Sequence, residues 1–394
     1  MERKSKMFKI QTLNNIAEVG LSRLSSTKYD ISSDCADPDA ILVRSAKMHD
    51  MDFGDSLLCI ARAGAGTNNI PIDRCTEHSV VVFNTPGANS EAVNELAICA
   101  LLLSSRDIIG GVDWVRSIAG CGDDIPKMVE NGKKAYTGPE IKGKTLGVIG
   151  LGAIGAKIAN TALDLGMKVY GYDPFLSVDA AWRLSSSVIH ATDLDIIYAN
   201  CDYITIHVPY MPATHHTINA EAIAKMKDGV RIINLARGEL VDDDAIIAAI
   251  DCNKVARYVT DFPNAKTANC PNIIAIPHLG ASTPESEDNC AVMAAIETRD
   301  YLENGNINNS VNMPRAVMAR TGDARLCVFH RNIPDMIAKI TTLLSSMGVN
   351  IENMVNSGKK GFPIAYTMID MDNVPDGLYE AVMSISDVKR VRII

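Results

Sequence analysis

The 394-residue chain is 47% hydrophobic and 22% charged with no low-complexity tract, which excludes extended disorder and calls for two or three domains, each with its own core. A formal net charge of −9 argues against nucleic acid or an anionic membrane surface as a partner, so an anionic substrate needs a locally basic pocket. Ten cysteines, no two closer than sixteen residues and none in C-x-x-C, read as reduced thiols of a cytoplasmic protein, with no metal site expected.

In chain order, residues 1–6 read as a loose lead-in without the apolar core of a secretory signal, and no window approaches a membrane span. From 9 to about 87, the apolar runs AILVRS (40–45), LCIARAG (58–64) and VVVFNTPG (80–87) alternate with turn-rich stretches and predict a parallel sheet. Ser90, followed by Glu91, is expected to cap a long apolar helix from 92 to about 104 that leads into a second domain.

That domain opens on TLGVIGLGAIGAKIANTALDLGMKVYGYDP (145–174), the most informative thirty residues of the chain. An apolar run feeds Gly150, Gly152 and Gly155, with Ala153 and Ile154 between, then a helical segment, then a second apolar run stopping at Asp173. This is the pattern of a dinucleotide-binding βαβ unit: Gly150 permits the tight turn, Gly152 lets backbone approach a pyrophosphate, and Gly155 lets helix and strand pack closely. Asp173, eighteen positions past Gly155, can accept hydrogen bonds from an adenosine ribose and repel a 2′-phosphate, which favours NAD over NADP.

Buried strands are predicted at CDYITIHVP (201–209), GVRIINLARG (229–238), ARYVTDF (256–262) and NIIAIPHLG (272–280), each after a helical segment such as 219–227 or 242–250. A helix over 286–304 is expected to return to the first domain, and 313–324 to serve as a linker. From 325 the order becomes RLCVFHR strand, IPDMIAKITTLLSSMG helix, VNIENMVNS strand, FPIAYTMIDM strand, GLYEAVMSIS helix, VKRVRII strand: a βαββαβ module of regulatory type.

The strings VRSA (43–46), ARAGAGTNN (61–69), FNTPGANS (83–90), GLGAIG (150–155), INLARGELVD (233–242) and PHLGAST (277–283) together resemble the D-2-hydroxyacid dehydrogenases, among them those acting on 3-phosphoglycerate. The tail resembles an ACT domain, an amino-acid sensor. The fold class implied is α/β: two doubly wound parallel-sheet domains, a substrate-binding one (7–91 and 286–312) and a Rossmann NAD-binding one (92–285), plus an ACT-like domain over 325–394. The assembly implied is a homodimer or homotetramer.

The resemblance also assigns residues. His278 is the acid/base, since an imidazole titrates near neutrality, and Arg237 is the arginine whose planar fork holds a carboxylate and polarises the reacting oxygen. Val208, Pro209, Leu235, Ala236, Asp261, Gly280 and Ala281 join the cofactor contacts. Arg44, Ser45, Arg62, the backbone at Gly64 and Gly66, Asn68 and Lys133 (with Lys134) are the candidates facing substrate in the cleft. The family's third catalytic residue, a glutamate, falls on Lys266, so His278 either works without a local carboxylate or borrows one from Glu285, Glu287 or Asp288. His207 reads as a structural imidazole. In the tail, His330, Asn332 and Asn350 match positions that bind L-serine, although Asp335 stands where the family string has glycine. The implied activity is NAD-dependent oxidation of 3-phosphoglycerate towards L-serine; the alternatives are a glyoxylate or hydroxypyruvate reductase and a non-catalytic NAD-sensing protein of the corepressor kind.

Overall fold

The computed structural model describes residues 7–358 and 362–394, so the lead-in expected at 1–6 lies outside the described residues. The chain divides into two compact units, one formed by Met1–Ala88 with Glu287–Ile394 and the other by Asn89–Ser286.

In the first unit, β1 (Phe8–Leu13), β2 (Tyr29–Ser32), β3 (Ala40–Val43), β4 (Cys59–Arg62) and β5 (Val81–Phe83) form one parallel sheet in the order β2-β1-β3-β4-β5. β3 and β5 are buried at every residue, as expected of parallel strands covered on both faces.

In the second unit, β6 (Thr145–Ile149), β7 (Lys168–Tyr172), β8 (Ile189–His190), β9 (Tyr203–Ile206), β10 (Val230–Asn234), β11 (Val255–Thr260) and β12 (Ile273–Ala275) pair in parallel in the order β12-β11-β10-β9-β6-β7-β8. The strand order reverses between β6 and β9, the switch point where a doubly wound sheet takes its ligand. Two expectations are corrected. The helix Ser90–Ser105 has Asn89, not Ser90, at its N-cap and no side-chain cap bond; Ser90 is its first, buried residue. β12 follows turns rather than a helix, the segment 261–272 between it and β11 being turns and loop throughout.

The C-terminal part of the first unit is an antiparallel sheet, β13 (Ala324–Arg331), β14 (Ile351–Ser357), β15 (Ile364–Met371) and β16 (Val388–Ile393), in the order β14-β15-β13-β16. With helices Met336–Ser346 and Leu378–Met383 the chain order is βαββαβ. Alternation sorts its side chains: Leu326, Val328, Ile369 and Met371 pack with Ile340, Leu344 and Val382 of these helices. Cys327, Phe329, Tyr366 and Met368 point the other way, into the core of the first sheet with Ile10, Leu42 and Phe83. Residues 313–324 are packed as well, with Met313, Ala316 and Met318 buried in that core.

Candidate active site

The cradle at the end of β6 gives each motif glycine a separate reason. Gly150 has φ +89°, and a Cβ there would lie 2.6 Å from the His207 carbonyl oxygen at the end of β9. A Cβ on Gly155 would lie 1.9 Å from the carbonyl oxygen of Gly150, so helix Ala153–Asp164 can approach the strand only with hydrogen at that position. A Cβ on Gly152 would meet nothing within 4 Å. Gly152 is also the helix N-cap and makes no side-chain cap bond, so the protein leaves both the open space and the first-turn N–H groups to a ligand. An anionic pyrophosphate fits that demand. Val208 closes the same corner, its Cγ1 2.9 Å from the Cβ position of Gly150.

Asp173, just past β7, is half-buried: one carboxylate oxygen accepts from Leu151 N at 2.9 Å, the other from Phe175 N at 2.9 Å. Each oxygen keeps a lone pair for a ribose hydroxyl. His207 is held by Thr205, its Nε2 2.8 Å from the hydroxyl, and burial pushes its pKa down to about 3, in keeping with a structural, uncharged imidazole.

Beyond β10 the turn carrying Leu235, Ala236 and Arg237 is built on Asn234, which is fully buried. Its Oδ1 accepts from Ala236 N (3.1 Å) and Arg237 N (3.3 Å), and its Nδ2 donates to Arg237 O (2.8 Å) and the Tyr258 hydroxyl (3.3 Å). Arg237 is thereby presented with its side chain exposed, Nη1 donating to Ala236 O at 2.6 Å. Phe262 links it to the histidine: its ring centroid lies 5.9 Å from the Arg237 guanidinium carbon and 4.6 Å from the exposed His278 ring. The preceding residue, Asp261, is buried; its Oδ2 accepts from Gly280 N at 3.2 Å, and its Oδ1 has no protein partner. Burial pushes the Asp261 carboxyl up, against the opposing pull of the Gly280 N–H and the charges of His278 and Arg237. An orphaned buried acceptor beside an arginine and an exposed imidazole suits the amide end of a nicotinamide. Arg237, Asp261, His278 and Gly280 are thus brought together; Asn234 and Phe262, which hold them, were missed by the sequence reading. A buried asparagine closing the apolar strand VRIIN was the available signal for the first.

Lys266, at the position expected for a glutamate, donates to Asp244 at 2.7 Å on an exposed surface. In the first unit, Arg44 follows β3 and its Nη2 lies 2.5 Å from the Glu287 carboxylate. The Ser45 N–H donates to Asn14 Oδ1 at 3.0 Å. Arg62 donates through Nε to Arg44 O (3.0 Å) and through Nη1 to Gly66 O, bracing the loop that contains Gly64. Asn68 accepts at its carbonyl from His49 Nε2 at 3.0 Å and lines an open depression of about 680 Å³. Lys133 pairs with Glu130 one turn earlier on an exposed surface of the second unit. In the C-terminal sheet His330 is buried, with Nδ1 2.8 Å from Arg331 O and Nε2 2.9 Å from the Thr367 hydroxyl. Asn332 and Asn350 are exposed; Asn332 donates to Phe362 O at 3.2 Å and Asn350 N to Asp372 Oδ1 at 3.0 Å. All ten cysteines are free, and among the described residues no metal-ligand cluster and no membrane-crossing helix occurs.

Residues 99–280 match the family model described as D-isomer specific 2-hydroxyacid dehydrogenase, NAD binding domain. A hydroxypyruvate reductase of Thermotoga maritima is 36% identical over 289 residues, covering 70% of this chain and 89% of that protein. A D-3-phosphoglycerate dehydrogenase of Synechocystis is 34% identical over 317 residues, covering 77% of this chain and 54% of that protein, so this chain spans about half its length. The crystal structure of NAD+-bound 3-phosphoglycerate dehydrogenase of Entamoeba histolytica superposes with a TM-score of 0.59 at 26% identity, over 78% of this chain and 99% of that one.

Proposed function

This chain belongs to the D-isomer specific 2-hydroxyacid dehydrogenases, and we propose that it oxidises D-3-phosphoglycerate to 3-phosphohydroxypyruvate with NAD, the first step of L-serine formation. The observation that carries this is the convergence of Arg237 and His278 on Phe262, beside a buried Asp261 with an unfilled oxygen. NAD, when bound, supplies the acceptor for the hydride leaving C2. The Arg237 fork takes the substrate carboxylate bidentately, which fixes C2 and its hydroxyl. His278 then accepts the hydroxyl proton as the carbonyl forms, and the neighbouring Asp261 carboxylate offsets the positive charge that results. Arg44 and Ser45 are assigned to the phosphate.

Purified protein supplied with NAD and D-3-phosphoglycerate should generate reduced cofactor, read by absorbance. His278→Asn should lower kcat by roughly 10²–10⁴-fold, the usual worth of a positioned acid/base. Arg237→Ala should raise KM as well. Absence of turnover with any 2-hydroxy acid would defeat the proposal and leave the non-catalytic NAD sensor. A second reading, reduction of unphosphorylated hydroxypyruvate, is favoured by the Thermotoga relative; a kcat/KM indifferent to the phosphate would establish it.

The C-terminal βαββαβ module supports an ACT-type regulatory role, with L-serine the candidate effector and exposed Asn332 and Asn350 the residues able to meet it. A homodimer is supported by Ile108, Ile109, Val112 and Val115, which leave an apolar stripe exposed on helix Ile108–Ser117.

A further inference from the structure

Arg237 and Phe262 stand beyond the ends of neighbouring strands of the second unit, so their separation depends on how the two turns that carry them are held together. β10 and β11 run parallel with Ile232 opposite Tyr258 and Asn234 opposite Thr260, which places the side chains of Asn234, Tyr258 and Thr260 on one face of the sheet. All three are buried. Asn234 uses its whole amide there: Oδ1 accepts from Ala236 N and Arg237 N, one Nδ2 hydrogen goes to Arg237 O, and the other goes to the Tyr258 hydroxyl at 3.3 Å. The Tyr258 hydroxyl also bonds the Thr260 hydroxyl, whose oxygen accepts from Phe262 N at 3.1 Å. A buried chain of polar groups thus runs from the Arg237 turn, through one phenol, to the Phe262 turn. Burial pushes the Tyr258 hydroxyl up to about 12, against the opposing bonds from Thr260 and Asn234, so it keeps its proton in the neutral range and acts as a fixed dipole.

We propose that Tyr258 is a positioning residue for the reaction: its hydroxyl ties the turn that presents Arg237 to the turn that carries Asp261 and Phe262, and so fixes the guanidinium against the aromatic ring that it shares with His278. This deepens the dehydrogenase reading and rests on it, since the role exists only if Arg237 clamps a carboxylate. The Arg237 side chain donates within its own turn, to Ala236 O at 2.6 Å, so the direction of its fork follows from where that turn is held. Without the phenol oxygen a buried N–H of Asn234 has no acceptor, and the amide finds another only by swinging, which loosens its hold on Arg237 O. The pairing of β10 with β11 survives the loss, because backbone makes it and a phenylalanine ring fills the same space.

The test uses the whole protein with NAD and D-3-phosphoglycerate, and places Tyr258→Phe in two backgrounds, wild type and Arg237→Gln, whose amide can still meet a carboxylate singly. In the first, Tyr258→Phe should lower kcat/KM about tenfold, the scale of one unsatisfied buried donor, with most of the loss in KM. In the second it should change kcat/KM by less than about twofold, because a clamp already removed cannot be misplaced. Affinity for ADP, which carries the pyrophosphate and adenosine but no nicotinamide ribose, should stay unchanged. Thr260→Val deletes the other hydroxyl of the chain at nearly constant volume; it should repeat the loss in KM and lower kcat as well, since Phe262 N is freed beside the His278 ring, and it carries the test if Tyr258→Phe does not fold. Wild-type kinetics in both single variants would overturn the proposal and leave the dehydrogenase reading standing. So would an equal loss in both backgrounds, the mark of a hydroxyl that serves the fold alone. A wild-type protein that turns over no 2-hydroxy acid removes the dehydrogenase reading and this role with it.

Discussion

Gly152 and Gly155 are three positions apart and answer to opposite demands, one from the ligand and one from the fold. Gly152→Ala places a methyl where the protein has nothing within 4 Å and where φ −66° suits alanine, so the fold should be indifferent to it. It should weaken NAD binding by tenfold or more, about 1.4 kcal/mol, by standing where a pyrophosphate approaches the backbone. Gly155→Ala forces a methyl to within 1.9 Å of a carbonyl oxygen and should destabilise the second unit by about 1–3 kcal/mol, the usual cost of overpacking. Calorimetric melting and NAD titration of the two variants separate these effects. The glycines and Asp173 were legible in the sequence because each obeys a local rule tied to chain position. Asn234 and Phe262 were not, because their work is spatial: one folds a turn back on itself through three residues, the other touches two side chains 25 and 16 positions away in opposite directions along the chain.

Elements were legible where an apolar run had turn signals on both sides, as at β6 and β10, and less so where a cap had to be inferred. Ser90 has the composition of an N-cap, yet the cap falls one residue earlier, at Asn89, and Ser90 is already inside the helix. The helix Met336–Ser346 shows the converse. Asp335 is its N-cap with φ +69° and makes no side-chain cap bond, so the departure from the family's glycine keeps the left-handed backbone that glycine serves. Asp tolerates that region better than alanine does, and its charge adds a favourable term at the helix N-terminus. Asp335→Gly should therefore shift stability by no more than about 0.5 kcal/mol, the relieved strain being offset by glycine's extra freedom when unfolded. Asp335→Ala should cost about 1–2 kcal/mol. Equal melting temperatures for the two variants would show that the position does not depend on its conformation.

The attachment of the C-terminal module could not be read from sequence. The runs RLCVFHR and IAYTMIDM announce strands buried on both faces, but a continuous apolar run does not say what covers each face. Here one face carries the module's own helices and the other the core of the parallel sheet, so the expected linker has become part of a shared interior. Arg325 and Asp370 lock that arrangement. Both are fully buried; Nε and Nη2 of the guanidinium meet the two carboxylate oxygens at 2.6 and 3.0 Å, while Nη1 donates to Asn304 O and Met318 O at 2.7 and 3.0 Å. The same carboxylate accepts from Thr321 N at 2.8 Å, so one ion pair gathers β13, β15, the end of helix Pro284–Asn304 and the segment between. Burial alone would raise the Asp370 carboxyl, and the bonds from Arg325 and Thr321 more than offset it, holding the group below its usual range. Its contribution is therefore complete above an unfolded pKa of about 4 and is lost as the pH falls through the lower folded value. Asp370→Asn leaves a buried guanidinium without its anion and should cost about 3–5 kcal/mol. Because the core is shared, calorimetry at pH 7 should show that loss in a single transition of the whole first unit. A separate low-temperature melt of the C-terminal sheet, with the parallel sheet unmoved, would mean that the two do not fold as one body.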